Sequence, residues 1–156
     1  MDMRHTSLAA SVITIAMLCI GVQAASASTH RTVPAKQLTA WKTLDGPFAA
    51  ADNKWSNALS SLSSNPTVAQ ISRPSLAFVP ALKTFDTGLK KIGFTGGAGT
   101  EIADVVKLNA QLVTDLSSIK SVSSFESEFG ALNQKYQPVQ SALAKDLGIP
   151  TADVII

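Results

Sequence analysis

The sequence predicts an all-α protein: an up-down-up-down four-helix bundle with proline-kinked helices, preceded by a signal peptide. Three observations carry that prediction. Apolar residues recur at steps of three and four along four successive stretches, no stretch alternates as a strand would, and only short Gly- and Ser-containing connections separate the stretches. The chain has 156 residues, 46% hydrophobic and 15% charged, with 18 serines. An average soluble domain is about 25% charged, so serine supplies much of the polar surface here. Lys+Arg 13 against Asp+Glu 11 leaves a net charge of +2, too small an excess to point to nucleic-acid binding.

Residues 1–27 read as a secretory signal peptide. Arg4 and His5 precede an uncharged run over residues 8–22, and Ala25-Ser26-Ala27 supplies the small-residue cleavage site. Cleavage after Ala24 is the second choice. At 15 residues the apolar run is shorter than the ~20 needed to span a bilayer, so no stable membrane span is expected after cleavage. Cys19 lies inside the apolar run behind Leu18, where a lipidation signal would need a small residue. Residues 28–33 are expected to form a flexible mature N-terminus and residues 34–156 the bundle. The order of segments points to a bacterial protein, secreted or held in the cell envelope.

Trp41, Leu44, Phe48, Ala51, Trp55, Ala58 and Leu62 form the stripe of the first helix. Gly46-Pro47 interrupts it without changing its phase, which predicts a kink, or two collinear segments with Asp45 capping the second. Asn65-Pro66 reads as the start of a second helix whose stripe runs from Val68 to Ile92, with Ser75 in a place that an apolar residue would otherwise take. Pro74 and Pro80 are expected to bend or break it, and Gly93 to end it. Four glycines within Gly93-Phe94-Thr95-Gly96-Gly97-Ala98-Gly99 predict a loop. Thr100 then reads as the cap of a third helix with stripe Ile102, Val105, Leu108, Leu112, Leu116 and Ile119.

Ser123 and Glu126 carry a capping-box spacing for a fourth helix with stripe Phe125, Phe129, Leu132, Tyr136, Val139, Leu143 and Leu147. Pro138 predicts another kink, and Gly148 with Pro150 the stop. Val154-Ile155-Ile156 is apolar enough to pack back onto the body.

After cleavage the chain would hold no methionine and no cysteine, and its one histidine would be His30. That removes the usual protein ligands for haem, structural zinc or a di-iron centre, so no cofactor is expected. A Ser-His-Asp triad needs a histidine held in a pocket, and His30 precedes the first helix. Glu101, Glu126 and Glu128 are expected in first helical turns, where the helix dipole accounts for them. Gly96-Gly97-Ala98-Gly99-Thr100 lacks the lysine of a phosphate loop and follows a helix. A non-enzymatic binding or interaction protein is therefore the leading expectation, its partner a protein, an envelope component or a small apolar ligand. An enzyme built on small carboxylates alone is the weakest alternative.

Two groups of residues could bind. Trp41, Phe48 and Trp55 share one stripe, with Asp45 and Asp52 seven residues apart on a neighbouring face, a pattern suited to an apolar ligand bearing a cation. If cleavage follows Ala27, the chain begins Ser28-Thr29-His30, which resembles the amino-terminal copper- and nickel-binding motif. Its amine, two amide nitrogens and imidazole could then surround Cu(II) or Ni(II) in a plane, which makes an extracytoplasmic metal-binding protein the alternative reading. Lys83, Lys90 and Lys91 form a basic strip on the second helix, read as a solvated face.

Overall fold

The computed structural model describes residues 33–156, an all-helical arrangement with no strand among the described residues. Four long helices, α1 (Ala35–Ser60), α2 (Val68–Ile92), α3 (Gly96–Ser117) and α4 (Val122–Leu147), are followed by a single 3-10 turn, η1 (Thr151–Asp153). The architecture is consistent with a four-helix bundle. Residues 1–32, which include the segment 1–27 expected to be a signal peptide, lie outside the described residues.

The apolar stripes form the core. Trp41, Phe48 and Trp55 from α1 are buried, as are Ile71, Phe78, Leu82, Phe85 and Leu89 from α2. Ile102, Val105, Leu112 and Leu116 come in from α3, and Phe125, Leu132, Tyr136, Leu143 and Leu147 from α4. Leu59 and Asn109 are buried although neither belongs to the stripes above. Val154 is fully buried and Ile155 and Ile156 pack against the core, so the C-terminal segment returns to the body. The Gln140 amide holds that segment by donating to the Val154 carbonyl and, at 3.4 Å, to that of Thr151.

Aromatic contacts fix the register between α1 and α2. Trp41 meets Phe85, Phe48 meets both Phe85 and Phe78, and Trp55 meets Phe78, so rising numbers on one helix match falling numbers on the other. Tyr136 on α4 bonds Asn109 on α3, while the carboxylate of Asp146 lies where a side chain on Gly97 would project, so this pair is antiparallel as well. Trp55 reaches across to Phe129 of α4 at 5.4 Å, edge to face.

Several helix boundaries differ from the sequence expectation. Thr67, not Asn65, caps α2: its hydroxyl accepts from the Gln70 N–H, and the Gln70 side chain accepts from the Thr67 N–H in return. Likewise Ser121 caps α4 with Ser124 as the reciprocal partner, in place of Ser123 and Glu126. In both cases a Ser or Thr two residues away does the capping and satisfies the first orphan amides of the helix. α3 starts at Gly96, so only residues 93–95 are a connection and Thr100 lies within the helix, its hydroxyl 3.5 Å from the Gly96 carbonyl. Gly93 and Gly148 end their helices at φ 66° and 67°, as a left-handed C-terminal residue requires.

No acidic residue occupies the first turn of α3 or α4, so Glu101, Glu126 and Glu128 are not the dipole partners expected of them. Pro47, Pro74, Pro80 and Pro138 all sit inside helices that continue through them. α1 is one helix and not two, and the Asp45 side chain is not a cap.

Candidate functional site

α1 and α2 enclose an open groove of about 320 Å³ at mid-height. α1 contributes Thr43, Leu44, Pro47 and Phe48 to its wall. The facing wall, from α2, is Pro80, Ala81, Thr84 and Phe85. Phe48 and Phe85 stack with ring centroids 4.1 Å apart and an interplanar angle of 12°, giving the groove an apolar floor. The Thr43 hydroxyl donates to the Thr39 carbonyl at 3.0 Å, which leaves its oxygen as an acceptor.

Each wall carries a helix-interior proline. Pro47 has no N–H for the Thr43 carbonyl and Pro80 none for that of Leu76, so each wall lacks one helical hydrogen bond. Leu44 is seated by a glycine on the opposite helix: a Cβ on Gly88 would stand 2.4 Å from Leu44 Cδ1. These features make the groove a matter of backbone chemistry as much as of side chains.

Among the sequence-predicted aromatics, only Phe48 lines the groove. Trp41 is 1% exposed and packs edge to face on Phe85 and Phe94, and Trp55 stacks on Phe78 at 4.8 Å. Together with Phe125 and Phe129, these rings form one connected ladder that includes all 6 Phe and both Trp of the chain. The Trp55 indole N–H donates to Ser75 Oγ at 3.3 Å, and this explains the serine in the α2 stripe. A buried indole needs an acceptor, and a small hydroxyl at that site supplies it.

Asp45 and Asp52 are both half-buried, and burial raises the pKa of each. Asp45 is pushed up to about 6: burial is the main cause, the Ile155 N–H opposes it, and Asp153 adds repulsion. Its Oδ1 is buried with no hydrogen-bond partner. Asp45 thus faces the C-terminal segment and not the groove.

A polar chain that the sequence did not reveal crosses the core on the other side of α2. Tyr136 donates its hydroxyl to Asn109 Oδ1 at 2.6 Å, and Asn109 Nδ2 donates to Asp86 Oδ1, also at 2.6 Å. Burial raises the Asp86 pKa against the opposing effects of Asn109 and Lys90, and burial likewise raises that of Tyr136. Each group is satisfied by the next, which marks the chain as a structural tie linking α2, α3 and α4.

Among the described residues, no group of three or more His, Cys, Asp or Glu side chains is placed to hold a metal ion, and no helix is long and apolar enough to cross a membrane. Ser28, Thr29 and His30 lie outside the described residues. Lys83, Lys90 and Lys91 are exposed on α2. No protein-family model, curated protein or solved structure matches this chain.

Proposed function

We propose that the chain is an exported, non-enzymatic binding protein whose α1–α2 groove takes a small apolar ligand. One observation carries the reading: a groove of about 320 Å³, floored by a stacked phenylalanine pair and walled by a proline from each helix. Ligand pockets begin at about 300 Å³ and are mostly apolar with a few polar groups, here the two threonines. Prolines facing each other across a helix pair give up backbone hydrogen bonds that an ordinary packed seam would keep. Kinks at Pro47 and Pro80 would hold the helices apart at that level, which gives the cost of those residues a use. In this reading the segment 1–27 directs the chain out of the cytoplasm and is removed, leaving the bundle in the extracytoplasmic space of a bacterial cell envelope.

The reading is tested with N-phenyl-1-naphthylamine, a neutral apolar probe whose emission rises in an apolar site. The protein should enhance its fluorescence saturably, and Ala81→Trp, which fills the groove from its α2 wall, should abolish the enhancement while the helical circular dichroism is retained. Enhancement that survives Ala81→Trp, or no enhancement by the parent protein, overturns the reading.

A further inference from the structure

We infer that the groove is built for an anionic single-chain amphiphile, a long-chain carboxylate whose tail lies on Phe48 and Phe85 and whose head is held at one end of the groove. The inference rests on the groove reading above and adds the ligand's charge and shape. Every exposed charged side chain on α1 and α2 is a lysine or an arginine. The three acids of these helices are half-buried, with Asp45 meeting the C-terminal segment and Asp86 meeting Asn109 of α3. α4, by contrast, exposes Glu126 and Glu128 together with Lys135 and Lys145.

The cations are ordered with respect to the groove. Seven residues along a helix return to nearly the same face, two turns and about 10 Å away. Stepping seven residues outward from the rim residues Thr43, Pro47, Pro80 and Thr84 reaches Lys36, Lys54, Arg73 and Lys91, all of them exposed. The antiparallel register gathers these four into two pairs. Gln37 Nε2 donates to the Gly93 carbonyl at 2.9 Å, which sets Lys36 at the level of Lys91. The Trp55–Ser75 hydrogen bond sets Lys54 at the level of Arg73. An apolar trough with a cation pair beyond each end is complementary to a chain with an acidic terminus.

Size agrees with this occupant. At roughly 30 Å³ per heavy atom, about 320 Å³ holds on the order of ten methylenes, a length that brings a terminal carboxylate toward one of the cation pairs. Long flexible lysine side chains can lie along apolar surface and present the ammonium at the head group. A cationic amphiphile would meet repulsion at both ends, and a neutral one would gain nothing from either.

Displacement of N-phenyl-1-naphthylamine from the full chain at pH 8 distinguishes these cases, with dodecanoate, dodecanol and dodecyltrimethylammonium as competitors. Dodecanoate should displace the probe at about tenfold lower concentration than dodecanol in low salt, and the advantage should shrink severalfold in 0.5 M NaCl. The double variants Lys36→Gln/Lys91→Gln and Lys54→Gln/Arg73→Gln change only exposed side chains. At least one should raise the dodecanoate requirement severalfold and leave that for dodecanol unchanged. Equal displacement by dodecanoate and dodecanol, or indifference to both double variants, overturns the anionic class and leaves the apolar groove standing. Failure of the probe to bind at all removes the groove reading and this inference with it. Association with phosphatidylglycerol vesicles and no displacement by dodecanoate overturns it in favour of a lipid surface.

Discussion

Asn109 is the polar residue on which the core depends most. It is fully buried, accepts from Tyr136 and donates to Asp86, so removing its amide strands a hydroxyl and half of a carboxylate in an apolar setting. Asn109→Ala should destabilise the protein by about 2–4 kcal/mol in urea titrations, and Tyr136→Phe, which leaves only one acceptor unmet, by about 1–2 kcal/mol. A change within about 0.5 kcal/mol for Asn109→Ala would show that water replaces the amide. Side chains of this kind were the least legible from sequence. Ser75 could be read because it occupies a stripe position and so must be buried. Asn109 stands one residue from Leu108, and an asparagine beside a stripe reads as surface until a tyrosine from another helix arrives at it. The tryptophans were read correctly as stripe residues, but their ring partners Phe78, Phe85 and Phe129 come from other helices and Phe94 from the connection between α2 and α3, and no spacing along one helix shows which rings meet.

At the scale of the helix, propensity and packing disagree at the prolines, and packing prevails. α2 continues as one helix through Pro74 and Pro80, and its buried face presents Ile71, Phe78, Leu82, Phe85 and Leu89 to the core. Burial contributes about 1.5–3 kcal/mol for each such side chain against about 3 kcal/mol for a helix-interior proline. Pro80 is exposed, so Pro80→Ala restores an N–H for the Leu76 carbonyl and removes nothing from the core. It should stabilise the protein by about 1–3 kcal/mol, measured by chemical denaturation, and should weaken probe binding if the groove depends on the proline. Gly88→Ala acts on the same site by another route. Alanine gains up to about 1 kcal/mol in helix propensity, but its Cβ must move Leu44, a groove-lining side chain. Probe affinity should fall severalfold with stability changed by less than about 1 kcal/mol; unchanged affinity would mean that Leu44 turns away from the groove. Helix identity was legible because four stripes spaced at three and four have no other use. Exact starts were not, since Thr67 and Ser121 compete with nearby residues of the same chemistry and only hydrogen-bond geometry chooses among them.

For the molecule as a whole, burial of carboxyl groups sets the response to pH. Asp45, Asp52, Asp86 and Asp115 all have raised pKa values with burial as the first cause, and that of Asp45 reaches about 6. A carboxyl with a raised pKa binds its proton more tightly in the folded than in the unfolded state. Its contribution is therefore fully present below about pH 4 and is lost as the pH rises through about 6 at Asp45. The urea midpoint should be higher at pH 5 than at pH 8, and Asp45→Asn should reduce the difference; a higher midpoint at pH 8 would contradict it. The groove was illegible at this scale for a simple reason: it joins residues of two helices, Pro47 and Phe48 of one with Pro80 and Phe85 of the other, whose relative register only contacts between the helices fix.

That ladder of rings has an optical consequence. Its two indoles stand at different levels of the α1–α2 seam, each in van der Waals touch with neighbouring chromophores, and the ring pair beneath the groove lies between them. Coupled transitions in such a chiral stack should give the protein a pronounced near-ultraviolet dichroic spectrum. A guest settling on the central pair would alter that spectrum directly, so the molecule carries its own unlabelled reporter of occupancy.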